Sequence, residues 1–274
     1  MTAANTLAYP IRSLREQVTA LEAAITLCLA DPKTRPVHRL RTTTRRIEGQ
    51  LAMLKAVPKV PRHRKQAGEA RRLLKKLRRA AGEVRDIDVQ MGLIDQIAAQ
   101  DASSELKSDA AKLKEKLEAD RKEHAEKLLK VLEKRQSEVT LALEELLKAL
   151  APVETLALSA TELTKLAEKW YRKNLPPETG KSRDEPEYLH TIRKVAKLAR
   201  YIAENAPENA KTPRTLAAGF ESLQQSGGDW HDWMVLKQIA GKSTGRSSAL
   251  TKLLAGRNRT ALQAYRRHLA EFSR

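Results

Sequence analysis

Apolar residues recur at every third or fourth position along most of the chain, which is the period of an amphipathic α-helix. In the first segment they are Ile11, Leu14, Val18, Leu21 and Ile25, and the same spacing returns between residues 113 and 146. Alternating β-branched runs and Asn-Gly hairpin turns are absent from the sequence. The pattern therefore predicts an all-α fold.

Segments rich in Pro, Gly or Ser interrupt this period and divide the chain into about ten helices. They lie at residues 57–68, 174–188, 205–215, 226–229 and 241–248. Asp86 and Asp232 each follow a glycine by four residues. We expect both near helix starts, where a carboxylate caps free N–H groups or orients a neighbouring Arg or His.

The chain of 274 residues is long enough for one large domain or two smaller ones, and its 41% apolar residues suffice for a core. Its single cysteine, Cys28, excludes an internal disulfide framework and a cysteine-based zinc site. The apolar neighbours of Cys28 predict a buried thiol. Neither a run of 18 apolar residues nor a signal-peptide pattern occurs, so we expect a cytoplasmic protein that does not enter a membrane.

Charge indicates the kind of partner. The 52 Lys and Arg residues against 34 Asp and Glu residues give a formal net charge of +18, so the expected partner is an anion. Residues 33–88 hold 18 basic and 5 acidic side chains, whereas residues 101–150 hold 11 and 12 with the signs interspersed. The later segment is typical of a solvated helix. The concentrated excess between residues 33 and 88 predicts a binding site.

A basic pattern occurs twice. The first copy reads VHRLRTTTRRIE at 37–48 and GEVRDIDVQ at 82–90; the second reads LHTIRKVAKLAR at 189–200 and GDWHDWMVL at 228–236. In register, His38 matches His190, Arg41 matches Arg193, Arg45 matches Lys197, Arg85 matches His231 and Asp86 matches Asp232. The repeat predicts an internal duplication, which can build a site at its own pseudo-symmetry axis.

Helical geometry gathers these basic residues on single faces. His38, Arg41 and Arg45 fall within about 60° of one another, opposite the apolar residues of the same segment. The second copy places His190, Arg193, Lys194 and Lys197 together, and the segment ARRLLKKLRRAAGEV does the same for Arg72, Lys75, Lys76 and Arg79. Between residues 33 and 68 Glu48 is the only acid, so the like charges oppose helix formation unless an anion binds.

A catalytic alternative rests on the His231-Asp232 dipeptide. With His38, His190, Asp86 and Asp88 it could form a His/Asp metal site for phosphoester hydrolysis. The many surrounding Arg and Lys side chains would repel a divalent ion. Neither a P-loop nor a dinucleotide fingerprint is present. We therefore predict that the protein is not an enzyme and that it uses no metal and no cofactor.

The pattern H-x-x-R-x-x-x-[RK], then a basic helix, then G-x-x-[RH]-D, all occurring twice, resembles the conserved histidine α-helical domain, known as CHAD. The similarity covers about residues 8–272, as one domain with repeats at about 8–150 and 155–272 after a short tail at 1–7. The resemblance implies two pseudo-symmetric helical bundles with a basic central cavity that binds inorganic polyphosphate. The E-x-E-x-K motif of the triphosphate tunnel domain fused to some members is absent, so the resemblance implies no triphosphatase activity.

The resemblance assigns polyphosphate binding to His38, Arg41, Arg45, Arg46, Arg85, His190, Arg193, Lys197 and His231. The clustering of charge adds Arg72, Lys75, Lys76, Arg79 and Lys194. The second copy has fewer arginines than the family pattern, so we expect that half to bind more weakly. The resemblance further implies a location at cytoplasmic polyphosphate granules, with granule proteins as further candidate partners.

Two alternative functions stay open at this point. The first is binding of a nucleic-acid backbone, since DNA and RNA are polyphosphates as well. An aromatic content of 4% is low for a protein that stacks bases, which makes nucleic acid the secondary partner. The second is the metal-dependent phosphohydrolase described above.

Overall fold

The computed structural model describes residues 7–58, 60–100, 103–177 and 186–272. In these ranges the chain forms eight α-helices: α1 (Pro10–Ala30), α2 (Thr34–Leu54), α3 (Arg64–Gln100), α4 (Ser104–Leu150), α5 (Ala160–Asn174), α6 (Pro186–Ala203), α7 (Lys211–Ser243) and α8 (Ala249–Phe272). A 3-10 turn follows α4 at Ala151–Val153. Two short strands, β1 (Leu7–Ala8) and β2 (Leu158–Ser159), pair antiparallel. The predicted all-α fold is confirmed.

The helix break predicted at residues 226–229 is wrong, because α7 continues through it. The reason lies in the packing of Gly227. A Cβ atom built at Gly227 would lie 2.8 Å from Cζ of Tyr265, so the glycine lets the Tyr265 ring approach the helix closely. At this position glycine permits close packing against Tyr265, and α7 continues without a break.

The expectation that Asp86 and Asp232 sit near helix starts is wrong for the same kind of reason. Asp86 lies in the interior of α3 and Asp232 in the interior of α7. Neither carboxylate is therefore in a position to cap free N–H groups at a helix start. Their role is to contact an arginine, as described below.

Two compact units make up the chain. Unit one comprises Met1–Ala81 and Leu128–Glu221, and unit two comprises Gly82–Lys127 and Ser222–Arg274. Each unit thus combines residues from both of the predicted repeat ranges. The division into repeats at about 8–150 and 155–272 stays a prediction.

The core of unit one is built on apolar faces of α1, α2, α5 and α6, and α2 packs against both α1 and α6. Its buried residues include Ile11, Leu14, Leu21, Leu40, Ile47, Leu51, Leu163, Ile192 and Ala196. Cys28 is buried as predicted, and burial raises the pKa of its thiol to about 12. The helix α5 starts with a capping box, in which Ser159 and Glu162 bond each other's backbone N–H groups.

A buried glutamine holds α2 in place within this unit. Gln50 is only 3% exposed. Its Nε2 donates to Oγ of Ser13 at 2.7 Å and to Oδ1 of Asn205 at 3.1 Å. These bonds connect α2 to α1 and to Asn205, which follows the end of α6. They limit how far α2 can slide or rotate.

The core of unit two is formed by α3, α4, α7 and α8. Its buried residues include Ile94, Ile97, Leu106, Leu113, Leu117, Leu236, Leu250 and Leu254. Trp230 stacks on Tyr265 with ring centroids 5.9 Å apart, which adds an aromatic contact beside Gly227.

Gly49 provides a test of the packing between α2 and α6. A Cβ atom at Gly49 would lie 2.7 Å from Cβ of Tyr201. We therefore expect Gly49→Ala to lower the free energy of unfolding by about 1–3 kcal/mol through overpacking. Gly68→Ala is the matched control in α3 of the same unit, where nothing lies within 4 Å. There the gain in helix propensity should stabilise by about 0.5–1 kcal/mol.

The measurement is urea denaturation followed by far-UV circular dichroism. Opposite signs for the two substitutions are the expected result. If Gly49→Ala lowers the free energy of unfolding no more than Gly68→Ala does, the close approach of α2 and α6 is contradicted.

Candidate anion-binding site

The basic face of α2 lies opposite its buried face, as the helical period predicts. Val37, Leu40, Ile47 and Leu51 are fully buried. On the other side His38 and Arg46 are exposed, while Arg41 and Arg45 are half-buried. The half-buried positions matter most, since charges shielded from water interact more strongly with a bound anion.

Glu48 joins the basic face of α2 to α3. Its Oε2 lies 3.1 Å from Nη1 of Arg45 and 3.0 Å from Nη1 of Arg78. The side chains of Arg45, Glu48 and Arg78 are 22%, 25% and 15% exposed, so all three lie largely out of the solvent. A single carboxylate oxygen thus contacts guanidinium groups from two helices.

Arg71 is the third guanidinium group near this carboxylate. Burial lowers the pKa of Arg71, and the negative charge of Glu48 acts in the opposite direction. Burial also lowers the pKa of Arg78, and repulsion from Arg45 adds to that effect. We call Arg45, Arg71, Arg78 and Glu48 the Glu48 cluster. Arginine stays charged in proteins, so three cations face one anion there.

The basic face of α6 begins with a His-Arg contact. Nη2 of Arg193 lies 3.3 Å from Nδ1 of His190. A guanidinium group has only donors, so Nδ1 accepts and the neutral imidazole carries its proton on Nε2. Both residues lie on the helix face that also carries the half-buried Lys197 and the exposed Lys194.

Arg200 on the same helix is balanced by acids. Its Nε lies 2.5 Å from Oε1 of Glu204 and its Nη2 lies 2.9 Å from Oε1 of Glu221. This end of α6 therefore carries no excess positive charge at Arg200. The binding potential of α6 lies toward His190, Arg193 and Lys197.

Tyr201 lies close to cations of both α2 and α6. Burial raises the pKa of Tyr201, and the positive charges of Arg200, Arg46 and Arg45 each lower it. Together with the close approach of Gly49 to Tyr201, this places Arg45 and Arg46 beside α6. The structure thus brings Arg45 and Arg46 of α2 next to the helix that carries the second copy of the motif.

The basic stripe of α3 is exposed, as predicted. Arg72, Lys75, Lys76 and Arg79 are all exposed, and the buried Leu73, Leu74 and Leu77 lie on the other side of the helix. Arg72 donates from Nε to Oε2 of Glu69 at 2.9 Å, a bond that lowers the pKa of Glu69.

Sequence reasoning missed Arg71, Arg78 and Glu48 as parts of the site. Helical period groups Arg72, Lys75, Lys76 and Arg79 on one face of this helix, but it does not show which side chains a neighbouring helix brings close. The signal available in the sequence was Glu48 itself, the only acid in a run of 36 residues from 33 to 68. An acid isolated among so many cations was a candidate for contact with several of them.

Arg85 and His231 lie in unit two, whereas the other twelve predicted residues all belong to unit one. Nη1 of Arg85 lies 3.0 Å from Oδ1 of Asp86 and 3.5 Å from Oδ1 of Asp232. Burial lowers the pKa of Arg85, but the two carboxylates outweigh it and the net shift is upward. The predicted role of Asp86 and Asp232 in orienting an arginine agrees with these contacts.

Within the described part of the chain, no group of three or more His, Cys, Asp or Glu side chains is arranged to hold a metal ion. None of the described helices is both long and apolar enough to cross a membrane.

Comparison with known proteins gives a family match and several similar structures, two of which are described here. A family model described as the CHAD domain matches residues 12–241. The crystal structure of the CHAD domain from the plant Ricinus communis is similar at a TM-score of 0.65 and 17% identity, covering 98% of this chain and 94% of that one. PptA from Streptomyces chartreusis is similar at 0.60 and 14%, covering 97% and 96%. Both likenesses concern the fold. No curated protein matches the chain closely.

Glu48→Gln tests the charge balance of the Glu48 cluster. The substitution leaves three half-buried guanidinium groups without their carboxylate, so we expect the free energy of unfolding to fall by about 1–3 kcal/mol. Sodium sulfate should restore part of this loss, because an anion can take the place of the carboxylate. The measurement is urea denaturation in sulfate and in chloride at equal ionic strength.

Glu69→Gln is the matched control, since it removes the same charge from an exposed pair with Arg72. We expect little change there and no extra benefit from sulfate. A sulfate effect of the same size in both variants would argue against a specific anion site at Glu48.

Proposed function

The chain belongs to the CHAD domain family, a family linked to polyphosphate, and on this basis we propose that it binds inorganic polyphosphate without chemical conversion. The proposed contacts in unit one come from three helices: His38, Arg41, Arg45 and Arg46 of α2; Arg72, Lys75, Lys76 and Arg79 of α3; and His190, Arg193, Lys194 and Lys197 of α6. Contacts of Arg85 and His231 in unit two, and a basic central cavity, stay predictions.

The Glu48 cluster is the observation that carries this proposal. Arg45 and Arg78 share one carboxylate oxygen at 3.1 and 3.0 Å, and Arg71 lies close enough to feel the same charge. Holding unbalanced cations partly away from water costs free energy, and a polyanion that binds beside them offsets the cost. Further positive charge lies on the exposed cations of α2, α3 and α6.

Polyphosphate suits such a surface chemically. It carries about one negative charge per phosphate, and each guanidinium group can place two N–H donors on phosphate oxygens while an ammonium group acts as a point charge. Polyphosphate has no bases to stack, so the low aromatic content of the chain is no disadvantage for it.

We also propose that the protein resides at cytoplasmic polyphosphate granules, where it would meet its ligand and granule proteins. The proposed ligand and the family membership both support this location.

Loss of binding in Arg41→Ala combined with Arg193→Ala tests the surface. Each arginine makes charge-assisted hydrogen bonds of about 1.5–3 kcal/mol, so the double variant should weaken long-chain polyphosphate binding at least about tenfold. Lys130→Ala with Lys134→Ala is the matched control, because it removes two exposed charges of α4 in the same unit. Affinity is measured by isothermal titration calorimetry at several salt concentrations.

We expect log K to fall linearly with log salt for the unmodified protein, and the slope to be smaller for the arginine variant than for the lysine control. Affinity that is independent of salt, or an arginine variant that binds as tightly as the control, would contradict the proposal.

A competition assay and a phosphate-release assay on the unmodified protein distinguish the two alternative functions. If it binds nucleic acid, duplex DNA should displace polyphosphate at equal phosphate concentration; we expect displacement to need far more DNA. If it is a metal-dependent phosphohydrolase, phosphate release should require a divalent ion and disappear in His231→Ala. We expect no phosphate release with Mg²⁺, Mn²⁺ or Zn²⁺.

A further inference from the structure

A cavity of about 440 Å³ opens in unit one beside the segment that connects α2 to α3. Its volume falls within the range of about 300–1,000 Å³ that is typical of small-molecule sites. Part of its wall is apolar and comes from Leu51, Leu54, Val57 and Ala67, which are at most 8% exposed. Val60 continues this apolar wall from the connecting segment.

Four cations line the same cavity: Lys55, Arg62, Arg64 and Arg71. No carboxylate is among the described residues of its lining. Lys55, Arg62 and Arg64 are exposed, whereas Arg71 is half-buried. The cavity therefore combines an apolar wall with a positive rim, a combination that matches a molecule with one apolar end and one anionic end.

His63 adds a buried polar group to the lining. It is 7% exposed, and its Nδ1 lies 2.7 Å from the carbonyl oxygen of Pro61. A carbonyl oxygen only accepts, so Nδ1 carries a proton and the orientation of the ring is fixed. The other ring nitrogen, Nε2, can accept from a ligand hydroxyl or, in the imidazolium form, donate to an anionic oxygen.

We propose that this cavity binds a small phosphate monoester whose other end is an apolar group. The positive rim would hold the phosphate, and the apolar group would displace water from Leu51, Leu54 and Val57. Each buried methylene-sized group contributes about 0.8 kcal/mol, so the apolar half adds affinity that a bare phosphate lacks. Polyphosphate has no apolar part and cannot use this wall, which makes the site different in ligand class from the one proposed above.

Arg71 is common to the cavity and to the Glu48 cluster. It lines the cavity, and the charge of Glu48 acts on its pKa. A substitution of Arg71 would therefore disturb both sites at once. Arg64 is the better position for a test, because it lines the cavity at the exposed start of α3 and has no part in the Glu48 cluster.

The first experiment titrates the full chain with 1-naphthyl phosphate by isothermal calorimetry. Inorganic phosphate and 1-naphthol supply the anionic half and the apolar half separately. We expect one molecule of 1-naphthyl phosphate per chain, bound at least about tenfold more tightly than either half, a difference of about 1.4 kcal/mol. Affinity no tighter than that of inorganic phosphate would overturn the proposal, because the apolar wall would then contribute nothing.

The second experiment compares Arg64→Ser with Lys65→Ser. The two residues are neighbours in the first turn of α3, both are exposed, and only Arg64 lines the cavity. We expect Arg64→Ser to weaken 1-naphthyl phosphate at least about threefold, about 0.65 kcal/mol, and Lys65→Ser to leave its affinity unchanged. Equal losses would indicate attraction by general positive charge and would overturn the site.

Val60→Asp tests the apolar wall directly, because it places a carboxylate in the connecting segment that lines the cavity. It should abolish binding of 1-naphthyl phosphate while the circular dichroism spectrum stays that of the unmodified protein. Unchanged affinity in this folded variant would count against the cavity as the binding site.

The arginine double variant Arg41→Ala with Arg193→Ala keeps this proposal separate from the polyphosphate proposal. Neither residue lines the cavity, so 1-naphthyl phosphate should bind the double variant as it binds the unmodified protein. Loss of that binding would place the ligand on the α2 and α6 surface and overturn the cavity. Retained binding together with unaltered polyphosphate affinity would contradict only the polyphosphate surface.

Discussion

Positive charge concentrated along α2 and α3 is the condition under which unit one has to fold, and Glu48 is the carboxylate that offsets it between these two helices. Glu48 lies within 3.1 Å of Arg45 and within 3.0 Å of Arg78, so one acid holds two helices together at their basic faces. The apolar cores beneath α2 and α6 supply the free energy that keeps these faces in place despite their mutual repulsion. The proposed binding surface is therefore a consequence of how the helices pack.

The chain balances its buried arginines in two different ways, and the difference indicates where an anion is useful. Arg200 contacts two acids, Glu204 and Glu221. At that position a phosphate would have to displace carboxylates that already bond the guanidinium group. In the Glu48 cluster the cations outnumber the acid, so an added anion meets charge that is still unbalanced.

The helical period of the sequence was sufficient to predict the all-α fold and the opposition of basic and apolar faces in α2, α3 and α6. Both follow from spacing within one helix. The sequence predictions failed where a contact with a second helix determines the role of a residue. Gly227 was assigned to a helix break because composition does not show the ring of Tyr265 against it. Arg78 was left out of the site because its partner, Glu48, is 30 residues away in the sequence and reaches it only through packing.

The two proposed sites differ in what lies beneath their cations, and this difference governs the class of ligand. The basic faces of α2, α3 and α6 present guanidinium, ammonium and imidazole groups, so they favour an anion that is charged along its whole length. The cavity after α2 presents cations above Leu51, Leu54 and Val57. An apolar wall adds binding free energy only when the ligand covers it and removes its surface from water. Charge thus attracts anions to both places, and the surface beneath the charge selects between them.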